Sequence, residues 1–259
     1  MVKRCKDKEI FMALYALGDL HLSFSTPEKS QERFGKIWKD HEWKAKKNIE
    51  RLVKPDDTLV LTGDHSWGNN LVQCQKDFEF IEALPGRKIL LRGNHDHFWK
   101  ANQTEKLNEM FKGKLLFLQN NFYTYKDYAL VGTKGFCFEG PFFIDTRTNL
   151  ITGYDRAAYE QSVKLVDREK KRLITGIDAA RAAGYTKYII FLHYPPTSVI
   201  QTDSEFTRIA EEIGAEQVIY SHSHGKERFH DSIQGRYHGV KYSLVSGDYL
   251  NFKPIRVLK

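Results

Sequence analysis

The sequence is poor in cysteine, which limits the kinds of cross-link that the fold can use. Its three cysteines, Cys5, Cys74 and Cys137, are far apart, odd in number and form no CxxC pair. Such a set predicts neither a disulfide framework nor a zinc site built from thiolates. A reducing compartment fits this cysteine usage best, so we expect a cytoplasmic protein.

Long apolar runs are also missing. No stretch approaches the roughly 18 apolar residues that a membrane-spanning helix requires. The N-terminal segment superficially resembles a signal peptide, but its apolar part is short and continues into Asp19 and His21 without a convincing cleavage site. We therefore interpret this segment as a buried first strand, and we expect no membrane partner.

Repeats, low-complexity stretches and linkers rich in proline or serine are absent as well. The chain of 259 residues is long enough to bury a real core, and we interpret residues 1–259 as a single domain. No segment has the spacing of a glycine-rich phosphate-binding loop. The formal charge of +7 suits an anionic partner, although a lysine-rich solvated surface explains it more simply.

Seven short apolar runs recur along the chain, and each of them ends in polar residues. Runs of this kind are typical of strands that are covered on both faces. Amphipathic patterns between them predict four helices, and strands that alternate with helices predict an α/β fold. The apolar runs lie within residues 11–19, 57–64, 87–96, 128–136, 187–196, 215–225 and 242–250, and the predicted helices span residues 27–53, 72–84, 154–183 and 206–213.

Carboxylates and imidazoles are concentrated where these predicted strands end. Ligand sites in open α/β sheets gather at the carboxyl edge of the strands. One isolated histidine there is commonly a satisfied structural residue, but burying many ionisable groups without partners is costly, so their convergence predicts a metal site. The concentrated residues are Asp19, His21, Asp64, Asn94, His95, Asp96, His193, His222 and His224.

The order of these polar blocks resembles that of the calcineurin-like metallophosphoesterase family. The blocks are GDLH, GD, GNHD, a lone histidine after a strand and HSH, and they extend from Asp19 to His224. The stretches GDLHLSFS, GDHSW and GNHDHFW are especially similar to a bacterial branch of phosphohydrolases. The resemblance implies two mixed β-sheets packed as a sandwich and flanked by helices, in an α/β/β/α arrangement.

The resemblance further implies a centre with two divalent metal ions. It implies that one ion is bound by Asp19, His21 and His224, that the other is bound by Asn94, His193 and His222, and that Asp64 bridges both. His95 is then no ligand but the general acid or transition-state stabiliser at the scissile phosphate, and Asp96 orients its imidazole and favours its charged form. Oxygen and imidazole donors of this kind accept Mn²⁺, Fe or Zn²⁺ alike.

Some residues near these blocks depart from the family pattern or have open roles. Ser221 stands where the family usually has glycine, and a serine there is not expected to abolish metal binding. For His65 we favour a place at the surface or an orienting contact to a ligand over a substrate contact. The roles of His97, Arg92, Trp67 and Trp99 stay open, with packing of the loop core favoured for the aromatic residues.

The resulting expectation is a phosphohydrolase that cleaves a phosphomonoester or phosphodiester of a small substrate, with hydroxide activated by the metal ions as nucleophile. A nuclease acting on DNA or RNA at the same centre is the alternative. It is not favoured, because the basic residues are dispersed along the helices with acidic residues between them. A non-catalytic binding module is the third reading, and the presence of His95 and of every ligand block argues against it.

Overall fold

The computed structural model describes residues 12–137, 142–145, 147–148, 150–198 and 202–259. Its strands are β1 (Leu14–Leu17), β2 (Thr58–Leu61), β3 (Arg87–Leu91), β4 (Leu115–Leu118), β5 (Phe122–Tyr125), β6 (Tyr128–Thr133), β7 (Phe142–Ile144), β8 (Ile151–Tyr154), β9 (Lys187–Leu192), β10 (Gln217–Tyr220), β11 (Gly235–Tyr237), β12 (Val240–Leu244) and β13 (Ile255–Leu258). Its α-helices are α1 (His41–Leu52), α2 (Gln75–Glu82), α3 (Thr104–Phe111), α4 (Arg156–Ala182), α5 (Glu205–Glu212) and α6 (Lys226–Asp231).

The seven predicted strands are all present, as β1, β2, β3, β6, β9, β10 and β12. Phe11, the first residue of the first predicted strand, and Cys5 lie outside the described residues. Every residue of β1, β2 and β10 is buried, which confirms that these runs are covered on both faces. Three predicted helices are present as α2, α4 and α5, with ends that differ slightly from the expected ones.

The predicted helix over residues 27–53 is wrong in its first half. That part consists of three 3₁₀ turns, and α1 begins only at His41. Gly35 interrupts the helical path with a φ of 128°, and Asp40 adopts a left-handed conformation with a φ of 51°. Neither backbone conformation continues an α-helix, so the chain changes direction at each of these two residues.

The strands form two mixed sheets and a separate hairpin of β7 and β8. The first sheet has the order β13-β1-β2-β3-β4, in which β13 is antiparallel and the others are parallel. The second has the order β11-β12-β10-β9-β6-β5, with antiparallel strands at both edges. The expected pair of mixed sheets is therefore confirmed.

Three apolar clusters hold the layers together. The cluster between the sheets joins side chains such as Val60 of the first sheet and Ile189 of the second. A second cluster, which includes Ile49 of α1, covers the outer face of the first sheet. A third, with Leu173 of α4 and Phe206 of α5, covers the outer face of the second sheet. The layers thus follow the expected α/β/β/α order.

The carboxyl ends of the parallel strands from both sheets meet along one rim. The Gly18 N–H after β1 donates a hydrogen bond of 2.7 Å to the Val245 carbonyl after β12. The Ser221 hydroxyl after β10 donates one of 2.9 Å to the Thr62 carbonyl after β2. The polar residues that follow these strands are consequently delivered to the same place. None of the helices in the described part of the chain has the length and apolar character needed to cross a bilayer.

Candidate metal centre

The backbone is strained at the positions where the rim carries its polar side chains. Asp19, His21, Asp64 and His222 all have positive φ values, of 57°, 43°, 53° and 69°. A left-handed conformation costs a residue other than glycine on the order of 1 kcal/mol or more, and such residues collect at functional sites. The surrounding strands stabilise these left-handed conformations, which direct the four side chains toward a common region.

Asp19, His21 and His224 form the first cluster at the rim. One potential ligand atom from each residue lies within 4.8 Å of the others. Within the described part of the chain, Oδ1 of Asp19 and both ring nitrogens of His21 are buried without a hydrogen-bond partner. Unpartnered buried donors and acceptors are costly, and a cation would satisfy them. The residues of this cluster therefore fit a metal ion.

Asp64, His193 and His222 form the second cluster, with ligand atoms again within 4.8 Å of one another. The Nε2 atom of His193 lies at its centre, 2.7 Å from Oδ1 of Asn94 and 3.2 Å from Nδ1 of His222. Carboxylate and amide oxygens that converge with imidazole nitrogens suit a divalent transition metal. All four residues that the resemblance implies for the second ion are brought together.

Asp64 contacts both clusters. Its Oδ2 lies 3.7 Å from Nε2 of His21 and 3.4 Å from Nε2 of His193. Its Oδ1 accepts a hydrogen bond of 2.8 Å from the backbone N–H of His95. A carboxylate with one oxygen between two donor sets is placed as a bridging ligand would be.

The charges of the two clusters are tuned by burial and by their neighbours. Burial lowers the pKa of His21 well below its usual value, and it lowers that of His222 to about 3. Burial raises the pKa of Asp19 to about 6. Burial opposes protonation of His224 too, but the Asp19 and Asp248 carboxylates outweigh it and raise its pKa to about 9. His21 and His222 are thus neutral, which is the form that binds metals.

Asp96 has a different position from the one expected. Its carboxylate accepts backbone hydrogen bonds of 3.0 Å from Asp64, 2.9 Å from His65 and 2.7 Å from Gly93. Among the hydrogen bonds of the described residues, none joins this carboxylate to the ring of His95. Although the two residues are adjacent in sequence, Asp96 fastens the GD and GNHD loops to each other rather than orienting the imidazole.

His95 is half-buried at the edge of the same centre. Its ring centroid lies 4.4 Å from that of Trp67 and 5.7 Å from that of His21. Burial lowers its pKa, and the attraction of Asp64 does not fully offset this effect. The charge of Asp96 favours the imidazolium form of His95, as expected, but burial outweighs this effect on the pKa.

The residues with open roles divide into buried and exposed ones. His65 is fully buried, with Nε2 2.8 Å from the Leu91 carbonyl, so a place at the surface is wrong for it. Trp99 is buried in the cluster outside the first sheet, as favoured. Trp67 is only partly buried and faces the centre, whereas His97 is exposed.

Close packing explains the small residues in the sequence blocks. A Cβ on Gly63 would lie 2.5 Å from Nδ1 of His193, and one on Gly93 would overlap the Asp64 backbone and carboxylate. Ser221 is tolerated in place of the family glycine because its hydroxyl finds the Thr62 carbonyl. Arg92 is partly buried, and its Nε has no hydrogen-bond partner among the described residues.

Two residues outside the polar blocks of the sequence, Asp248 and Tyr194, contact the clusters. Oδ1 of Asp248 lies 2.9 Å from Nδ1 of His224, and the aspartate is expected to orient that imidazole. The ring centroid of Tyr194 lies 4.1 Å from that of His222. Asp248 follows a strand in an SGD block similar to the earlier GD blocks. The sequence favours a hydrogen-bond acceptor or turn former there over a ligand, and the contact agrees with this expectation.

A cleft of about 520 Å³ opens over both clusters. Its lining combines the imidazoles and carboxylates of the clusters with apolar and aromatic side chains. The residues that line it are His21, Gln31, Phe34, Ile37, Trp38, Asp64, Trp67, His95, His222, His224, Gly225 and Asp248.

The chain is similar to known phosphoesterases. Residues 12–226 match the family model described as calcineurin-like phosphoesterase. The solved phosphopantetheinyl hydrolase of Mycobacterium tuberculosis matches over 95% of each chain, with 14% identity and a TM-score of 0.51. A protein of unknown function from Aquifex aeolicus also matches over 95% of each chain, with 17% identity and a TM-score of 0.48. No curated protein matches this chain.

Proposed function

The chain belongs to the calcineurin-like phosphoesterase family, whose members are phosphoric ester hydrolases. From this premise we propose that it cleaves a phosphomonoester or phosphodiester. The proposed reaction uses two divalent metal ions, and His95 is the general acid. The metal ligands in this proposal are Asp19, His21, Asp64, Asn94, His193, His222 and His224. The substrate is a small phosphorylated molecule, for which the cleft above the ligands offers the room.

The observation that carries the proposal is the pair of clusters joined by Asp64. The buried, unpartnered atoms of Asp19 and His21 support metal binding over a purely structural role, since a structural site would have paired them. Divalent ions at such a site act as Lewis acids and lower the pKa of water, so that a nucleophile is present near neutral pH.

Asn94, His95 and Asp96 supply the remaining roles in the proposed reaction. Asn94 contributes a neutral oxygen, which keeps the centre positive for an anionic ester. His95 lies beside the clusters, and a bound phosphate raises its pKa and favours the protonated ring. The ring then donates its proton to the leaving oxygen, a contribution typically worth about 10²–10⁴ in rate. Asp96 supports this step by holding the loop before His95 in place.

The experiment compares His95→Ala with wild type on phenyl phosphate and diphenyl phosphate, whose phenoxide leaving group is basic enough to need a proton, with the metal content of both proteins measured. We expect unchanged metal content and a kcat lower by about 10²–10⁴. His97→Ala, an exposed histidine two residues away, is the matched control and should keep wild-type turnover. Hydrolysis by His95→Ala at the wild-type rate would contradict the acid role.

The same proteins test the nuclease alternative. Affinity for single-stranded DNA through phosphate contacts is strongest at low salt and falls steeply as salt is added. We expect no binding even at low salt, together with hydrolysis of small esters. Salt-dependent binding and cleavage of DNA in place of the small esters would instead favour a nuclease.

Two further proposals concern the domain organisation and the cellular location of the protein. We propose a single domain, because the cluster between the sheets joins side chains of both into one core. We also propose a cytoplasmic location, and Cys74, a buried free thiol, supports a reducing compartment.

A further inference from the structure

An apolar wall of the cleft, formed by Phe34, Ile37 and Trp38, lies beside the ligand clusters and partly faces solvent. Phe34 is 59% exposed and Ile37 is 39% exposed, and both line the cleft. Large apolar side chains grouped at the mouth of a site are typical of ligand-binding surfaces. Beneath them, Trp38 is buried and contacts the ring of His224 at a centroid distance of 5.4 Å. The wall therefore lies directly against the first cluster.

Trp67 connects this wall to the reacting centre. Its indole N–H donates a hydrogen bond of 3.1 Å to Oε1 of Gln31, and its ring stacks on His21 at 5.0 Å. The same ring lies 4.4 Å from the ring of His95. The indole therefore lies beside the imidazole to which the proposed function assigns the proton transfer.

Arg33 extends the aromatic character of the wall. Its guanidinium carbon lies 4.8 Å from the ring centroid of Phe34 and 5.7 Å from that of Trp67. A cation held over aromatic rings attracts a further π-system. Gln31 also lines the cleft, and its Oε1 atom is engaged by the Trp67 indole.

The wall is also preformed. Ser30 caps the second 3₁₀ turn by accepting a hydrogen bond of 3.3 Å from the Glu32 N–H, and Gly35 permits the sharp bend between Phe34 and Ile37. These features fix the backbone that carries both apolar side chains, so less ordering entropy opposes binding.

We propose that Phe34, Ile37 and Trp67 form the subsite for the leaving group, and that this group carries a planar aromatic ring, as a nucleoside or an aryl alcohol does. The inference rests on the proposed phosphohydrolase function. The phosphate faces the clusters and His95, and the ring lies against the indole and Phe34. Offset or edge contacts between such rings stabilise a complex beyond the burial of apolar area alone.

A binding measurement tests the subsite independently of turnover. Phenylphosphonate, hexylphosphonate and methylphosphonate are not hydrolysed, and their affinities for metal-loaded wild type, Phe34→Ala and Val72→Ala can be determined by calorimetry. Val72 is 80% exposed and does not line the cleft, so Val72→Ala is the matched control. In wild type we expect phenylphosphonate to bind most tightly of the three. In Phe34→Ala the preference for phenyl over methyl should fall about 3- to 10-fold, and in Val72→Ala it should not change.

Other outcomes overturn the inference. Equal preference in wild type and Phe34→Ala would remove Phe34 from the subsite, and hexylphosphonate binding as tightly as phenylphosphonate would exclude an aromatic specificity. Failure of the proposed function gives a different result, because methylphosphonate would then not bind at all and no ester would be hydrolysed.

Discussion

Replacing Asp96 by alanine distinguishes a structural role of this carboxylate from the catalytic role that its sequence position implies. The substitution removes the acceptor of three buried backbone N–H groups, those of Asp64, His65 and Gly93. Hydrogen bonds to a charged acceptor contribute about 1.5–3 kcal/mol each, and losses at neighbouring donors are not additive. We therefore expect the free energy of unfolding to fall by about 3–6 kcal/mol.

The assay is urea unfolding with linear extrapolation, applied to wild type, Asp96→Ala, Asp96→Asn and a surface control. Asparagine retains one acceptor oxygen, so Asp96→Asn should lose about half as much stability as Asp96→Ala. Asp127→Ala, which removes an exposed carboxylate paired with Lys187, should leave stability almost unchanged. If Asp96→Ala keeps wild-type stability and loses only turnover, the carboxylate orients His95 after all and the structural reasoning is wrong.

Two further predictions concern single charges near the centre. Burial and the charges of Arg92 and two other arginines lower the pKa of Lys134 from its ordinary value of 10.5 to about 8. Between pH 8 and pH 10.5 the folded protein therefore binds fewer protons than the unfolded chain. The free energy of unfolding should accordingly rise with pH over this range. Lys134→Met should remove that rise and stabilise the protein at pH 7 by on the order of 1–2 kcal/mol in urea unfolding. A less stable Lys134→Met protein at pH 7 would contradict this prediction. Asp248→Asn should weaken metal binding about 10- to 100-fold in competition with a chelator, because the amide orients His224 less well. An unchanged affinity would show that Asp248 has no such role.

Seven of the thirteen described strands and most of the rim could be predicted from the sequence because their signals are local. A strand buried on both faces, such as β2, needs a continuous apolar run, and a polar block such as GNHD marks the point where a strand ends. The edge strands β11 and β13 lack this signal, since solvent covers part of their surface. All three residues of β11 are exposed, and nothing in their composition requires a strand.

The direction of a side chain is harder to predict than its position along the chain. Asp96 follows His95 directly, yet its carboxylate turns toward backbone N–H groups of another loop. The three 3₁₀ turns before α1 have apolar spacing that also suits an α-helix, and only the backbone at Gly35 and Asp40 separates the two. The burial of His65 could not be predicted because its partner, the Leu91 carbonyl, is a backbone group that no sequence pattern marks.

The stoichiometry of bound metal tests the central claim most directly. Wild-type protein equilibrated with Mn²⁺ or Zn²⁺ and freed of excess metal should contain about two ions per chain by mass spectrometry, because Asp64 joins two complete donor sets. Hydrolysis should disappear on chelation and return when metal is restored. A chain that binds one ion or none under these conditions would contradict the account of a two-metal phosphoesterase.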